Sequence, residues 1–117
     1  MGVIQLPRNQ LQNLTEPMFY ILLCLDVPRC GVEIMEAVKQ ISSGRVTVGP
    51  GTLYALLNRF AKEKILKTEG VSVGRKITYR ITEKGKQLLN VEKERLARLL
   101  QDAEAYRLSA QEGEQGK

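Results

Sequence analysis

The chain is 117 residues long, 43% hydrophobic and 26% charged, with 18 Lys/Arg against 13 Asp/Glu and no His. That length fits one domain with an appendage, and the lack of histidine removes the commonest general base and metal ligand, so no catalytic centre, metal or cofactor is expected. No apolar run reaches the roughly 18 residues that span a membrane, and MGVIQLPRNQ lacks the charged-then-apolar pattern of a secretory signal, so a cytoplasmic protein with no membrane partner is expected.

Residues 1–14 are polar and mixed around Pro7 and read as an arm or a short helix. Thr15 can cap the free N–H groups of a first helix whose first turn suits Glu16 and Pro17. The apolar run Met18 to Leu25 continues as a core helix and stops at Asp26-Val27-Pro28. Cys24 lies in that run and reads as a small core residue, whereas Cys30 precedes a glycine and reads as more exposed, with a thiol switch as one option. A second helix runs from about Gly31 to Ser42. Val32, Ile34, Met35, Val38 and Ile41 mark its inner side and Glu33, Glu36 and Lys39 its outer one. RVTVG (45–49) is β-branched and suits a small strand.

Gly49-Pro50-Gly51 makes a tight corner, and a third helix follows from Pro50 to about Lys64. Leu53, Leu56, Leu57 and Phe60 form its apolar face. Ala55, Asn58 and Lys62 lie opposite, flanked by Tyr54 and Arg59. The period then changes to alternation, predicting strands at Ile65 to Gly70 and Lys76 to Thr82, joined around Val71–Arg75. Ile77, Tyr79 and Ile81 share one face and are assigned to the core with Leu53, Leu57 and Phe60. Lys76, Thr78, Arg80 and Thr82 share the other. Residues 58–82 hold 7 basic and 2 acidic side chains, a balance of +5 that equals the whole excess of the chain. Concentrated positive charge suits a polyphosphate partner; a solvated basic face is the bland alternative.

From Glu83 the helical period returns and persists to about Ser109, a length of about 40 Å at 1.5 Å per residue. Leu89, Leu96, Leu99, Leu100, Ala103 and Tyr106 form an apolar stripe, interrupted on one row by Glu92. The domain before it cannot cover such a stripe alone. A second copy of the chain is the natural cover, and a helix folding back is the alternative. Residues 110–117 read as a disordered tail.

This order of elements predicts a mainly α chain with a small β-hairpin: a winged helix-turn-helix over residues 15–82 and a dimerisation helix over 83–109. In helix-turn-helix proteins the second helix of the pair enters the major groove with its N-terminal part against base edges, and a helix N-terminus offers free N–H groups to phosphates. Gly51, Thr52, Tyr54, Asn58, Arg59 and Lys62 are therefore the candidate DNA-binding residues of a recognition helix, and Gly74, Arg75 and Lys76 those of a wing. Each polar one has a plainer alternative. Tyr54 can shield the turn between helices, Asn58 can be ordinary surface, and Arg75 and Lys76 can be solubilising charges.

Three segments carry a resemblance to PadR-type transcriptional regulators of the small kind, which have a single C-terminal helix. Cys30-Gly31-Val32-Glu33-Ile34 stands where that family has Tyr-Gly-Tyr-Glu-Ile. Gly51-Thr52-Leu53-Tyr54-Ala55-Leu56-Leu57-Asn58-Arg59-Phe60 resembles its Gly-Thr/Ser-Leu-Tyr-x-x-Leu-x-Arg-Leu recognition helix. Gly74-Arg75-Lys76-Ile77-Thr78-Tyr79-Arg80-Ile81-Thr82-Glu83-Lys84-Gly85 resembles the wing signature Gly-Arg-x-Arg-Lys-x-Tyr-x-Leu-Thr-x-x-Gly. Both aromatic positions of the first segment are replaced, by Cys30 and Val32, and the wing is one or two residues shorter with two basic residues instead of three or four. Some members bind flat aromatic drugs between interface Trp residues; this chain has no Trp, so that activity does not carry over. An unidentified small-molecule effector in an apolar groove near a dimer centre stays open, with no residue identifying it.

The resemblance implies a homodimer that binds a near-palindromic double-stranded DNA operator and regulates transcription, as a repressor of its own or a neighbouring operon. The alternative is a winged-helix module that binds another protein. Interfaces between proteins tend to be depleted in Lys, and residues 58–82 are enriched in it.

Overall fold

The computed structural model describes residues 13–71 and 74–115. The arm expected before residue 13 therefore lies outside the described residues. Helix α1 (Glu16–Leu23) begins at Thr15, whose hydroxyl accepts the Met18 N–H at 3.4 Å, and runs into a 3-10 turn at Cys24–Asp26. Arg29 then donates its Nε to the Cys24 carbonyl at 2.7 Å and fixes the exit. Helix α2 (Gly31–Ile41) opens where Glu33 Oε1 accepts the Cys30 N–H at 2.8 Å.

Two expectations about α2 are corrected. Val32 is 56% exposed and Ile41 43%, while Ala37 faces the core with Ile34 and Val38. The neighbours touch a stripe centred between those two edge positions, and a small residue fits there better than a branched one. Cys30 is also buried, because α2 starts beneath the hairpin.

Helix α2 ends in a left-handed Ser43 (φ 55°) and Gly44 (φ 79°), whose N–H groups reach the carbonyls of Gln40 at 3.1 Å and Lys39 at 2.8 Å. Residues 45–49 form no strand, contrary to expectation. The buried Ser42 hydroxyl accepts the Val46 N–H at 3.0 Å, so this segment is tied locally and has no call for a sheet partner. Helix α3 (Pro50–Lys62) follows, with Pro50 in its first turn and Leu53, Leu57 and Phe60 fully buried. Each such side chain contributes about 1.5–3 kcal/mol by leaving water.

Strands β1 (Leu66–Val71) and β2 (Ile77–Ile81) pair antiparallel, with Leu66 opposite Ile81 and Val71 opposite Ile77. A bulge between Thr68 and Gly70 leaves Glu69 out of register. Ile77, assigned to the core from its alternation, is 51% exposed, whereas Ile81 on the same face is buried and Tyr79 half-buried. The hairpin projects beyond the helices, so its apolar face is covered at the root and bare toward the tip. Beside β2, Arg29 and Tyr79 exchange backbone hydrogen bonds of 3.1 and 2.9 Å, bolting the hairpin to the segment that leads into α2.

Helix α4 (Glu83–Gln115) starts at Thr82, whose hydroxyl accepts the Gly85 N–H at 3.1 Å and donates to the Lys64 carbonyl at 2.7 Å. Gly85 is buried against Ile65, just before β1, and Ile81 of β2. A methyl group there would collide with the Ile65 carbonyl and come within 2.6 Å of Ile81 Cγ1. The helix continues past Ser109 to Gln115, so most of the expected tail is helical. Ala110, Gln111 and Glu112 are good helix formers, and a lone Gly113 costs only about 1 kcal/mol relative to Ala. No helix among the described residues is long and apolar enough to cross a membrane.

Candidate nucleic-acid interface

Helix α3 presents Gly51, Thr52, Tyr54, Asn58, Arg59 and Lys62 on its exposed side, so the six recognition-helix candidates all reach solvent. Gly49 starts the helix with no side-chain cap. Its first-turn N–H groups therefore point outward with the positive end of the helix dipole. Gly51 has nothing within 4 Å of where a Cβ would stand, leaving its backbone open to close approach.

The charges on this surface are not equivalent. Arg59 pairs with Glu63 at 3.1 Å and Arg80 with Glu69 at 3.0 Å, so part of the positive stretch is compensated where it stands. Lys62, Lys64 and Lys67 stand exposed along the end of α3 and the start of β1. At the wing, Gly74 (φ 88°) and Arg75 (φ 64°) are both left-handed, which turns the chain tightly and holds Arg75 and Lys76 in solvent. The cap bond from Cys30 holds the Glu33 carboxyl below its usual range, and the nearby positive charges of Arg29 and Lys76 add to that.

Helices α3 and α2 meet at Tyr54. A Cβ built on Gly31 would lie 2.8 Å from Tyr54 Cζ and nearer still to its hydroxyl. Burial pushes the Tyr79 phenol up, and the Tyr54 phenol adds to the effect. Neither this contact nor its need for Gly31 is visible in residue spacing.

A three-helix core, a basic helix with an uncapped glycine-rich start and a hairpin wing point to a DNA-binding regulator, and comparison decides the family. The family model described as "Transcriptional regulator PadR-like family" matches residues 21–91, more than half of the chain. The chain belongs to the PadR-like family of transcriptional regulators. No curated protein matches it in sequence. Among solved structures, a transcriptional regulator from Clostridium thermocellum superposes with a TM-score of 0.64 at 22% identity, covering 75% of this chain and 89% of its own. A PadR-like transcriptional regulator from Bacillus cereus gives 0.63 at 23% identity, covering 75% and 87% respectively. A PadR-family regulator from Eggerthella lenta gives 0.56 at 25% identity, covering 77% and 75%. These are regulators and not enzymes, and they share the winged-helix plan.

In this PadR-family chain the expected dimerisation residues divide into two groups. Leu89 is buried in its own core and is corrected out of the stripe, because α1 and the sheet cover the first turns of α4. Leu96, Leu99, Leu100, Ala103 and Tyr106 are exposed, Leu100 at 63% and Tyr106 at 77%. Glu92, which looks like a break in the stripe, is only 3% exposed and joins α4 to Leu14, the residue before the α1 cap. Cys24 is buried and its thiol is pushed up to about 11 by desolvation, which keeps it out of thiolate chemistry.

Proposed function

We propose that this PadR-family regulator works in the cytoplasm as a homodimer that binds a near-palindromic operator and represses its own or a neighbouring operon. The observation that carries this reading is the pairing of an open, basic recognition surface on α3 and the wing with an uncovered apolar stripe on α4. Gly51 and Thr52 bring the α3 N-terminus to the groove edge, Asn58 faces the bases, and Arg59 and Lys62 hold phosphates. Arg75 and Lys76, with Gly74 at the turn, follow the adjacent backbone. A dimer built through α4 sets two recognition helices about 34–36 Å apart, one turn of duplex.

The deciding experiment is fluorescence anisotropy on DNA from directly upstream of the gene beside a scrambled duplex, at two salt concentrations, with wild type and Arg75→Ala. The expected result is tight binding to the native duplex alone, weakened by salt as counterions are released and weakened by the substitution. Equal binding to both duplexes would remove the autoregulatory assignment. Binding to neither would favour a protein partner.

A further inference from the structure

We propose that Tyr54 is a positioning residue: its ring, seated on the Cα of Gly31, sets how α3 stands against α2 and the wing root, and it does not itself read DNA. This rests on the DNA-binding reading above and specifies how the surface is held.

Gly31 is buried in the first turn of α2, where glycine is about 1 kcal/mol less favourable than alanine. Its φ is not left-handed, so conformational freedom does not account for it. Space does. A methyl group would meet Tyr54 Cζ at 2.8 Å and the hydroxyl more closely, and Cε1 at 3.4 Å. Two residues earlier, Arg29 is bolted to Tyr79 of the wing strand by paired backbone hydrogen bonds. The ring of Tyr54 thus lies where α3 meets the start of α2, two residues along from the segment that is tied to β2 through Arg29. The hydroxyl is the part of Tyr54 able to hydrogen-bond a base, and it is the part that lies against Gly31, although the residue as a whole is 43% exposed.

Reading sequence requires the α3 N-terminus and the wing tip to engage one duplex together, whereas non-specific binding requires only their charge. Loss of the ring tilts α3 without altering any charge. Discrimination between duplexes falls, and affinity for unrelated DNA and its salt dependence stay.

The test uses a duplex enriched from a random-sequence pool by the wild-type protein, beside an unrelated duplex of equal length. Tyr54→Phe is expected to bind the enriched duplex within about twofold of wild type, since it keeps the ring. Tyr54→Ala loses about tenfold or more on that duplex alone, the scale of one good base contact. Gly31→Ala does the same in the wild-type background and adds nothing in the Tyr54→Ala background, because the collision is gone. A Phe variant as weak as the Ala variant would show a direct hydroxyl contact and overturn the proposal, as would a harmless or additive Gly31→Ala. Enrichment of no duplex by the wild type would instead sink the DNA-binding reading. Positioning is then read from amide chemical shifts: Gly31→Ala should move α2, α3 and β2 together only when Tyr54 is present, and shifts confined to α2 would refute it.

Discussion

Glu92 Oε2 accepts the N–H of Leu14 at 3.1 Å, tying the fourth helix to the residue that precedes the first helical cap, 78 positions away in sequence. Arg95 completes the site, donating Nε to Oε1 at 2.9 Å and a terminal nitrogen to Oε2 at 2.7 Å. The Arg95 hydrogen bonds, helped by the Leu14 N–H, hold the Glu92 carboxyl below its ordinary value of 4.5 despite its burial. The folded value being the lower one, this clasp stabilises fully above the ordinary carboxylate range and is lost as pH falls through the folded value.

Glu92→Gln preserves the shape of the side chain and removes the charge. At neutral pH it is expected to cost about 1–3 kcal/mol, the range for leaving buried partners poorly matched. Urea unfolding at pH 7 and in acid should show the gap between the two proteins closing at low pH. A gap that is constant with pH would mean that the carboxylate is not what binds Leu14 to α4.

Gly51 offers a test in which stability and binding move in opposite directions. Nothing lies within 4 Å of its Cβ position, and it sits inside the first turn of α3. Alanine should therefore raise stability by up to about 1 kcal/mol. If the open backbone exists for close approach to DNA, the same substitution should weaken specific binding. A Gly51→Ala protein that melts higher and binds as wild type would remove Gly51 from the interface.

The elements themselves were legible because their periods are clean: 3.6 along α3 and 2 along the hairpin, with Gly and Pro at the corners. What the sequence hid were phases and ends. Val32 and Ile41 look like core yet sit at the rim of the buried stripe of α2, and Ala37, too small to stand out, is inside. Ile77 alternates correctly with Ile81, but burial fades along a projecting hairpin and alternation does not report where cover stops. Glu92 reads as a flaw in an apolar row because its partner, a backbone N–H at Leu14, has no signature in residue type. The basic, exposed side of α3 that is proposed to meet DNA was legible as composition, while the seat of Tyr54 on Gly31 depends on how two helices cross.

Lys64 and Ser43 hold left-handed φ values of 61° and 55° just past the ends of α3 and α2. In both, the next N–H reaches back to close the helix: Ile65 to Phe60 at 2.8 Å and Gly44 to Lys39 at 2.8 Å. Glycine is the preferred residue there, since a side chain in this region costs about 1–2 kcal/mol. After the greater flexibility of the unfolded glycine chain is offset, Ser43→Gly is expected to gain about 0.5–1 kcal/mol, a rise of a few degrees in Tm. Lys64→Gly should gain as much in stability while losing one cation near the recognition helix, and with it some salt dependence of DNA binding. Equal salt slopes would place Lys64 away from phosphate.

Two leucines ten residues apart on α4 separate folding from assembly. Leu89 is buried in its own chain, so Leu89→Ala should cost about 2–5 kcal/mol of stability at any protein concentration. Leu99 is 51% exposed and lies outside the buried cluster of the described residues, so Leu99→Glu should leave the monomer fold intact. If the stripe pairs two copies, sedimentation will show Leu99→Glu as a monomer at concentrations where wild type is a dimer. Its affinity for a two-half-site operator should fall far more than for a single half-site, because linkage of the two recognition helices is what raises their effective concentration on the duplex. A Leu99→Glu protein that remains dimeric would place the interface elsewhere and leave the exposed row of Leu96, Leu100 and Tyr106 in need of another partner.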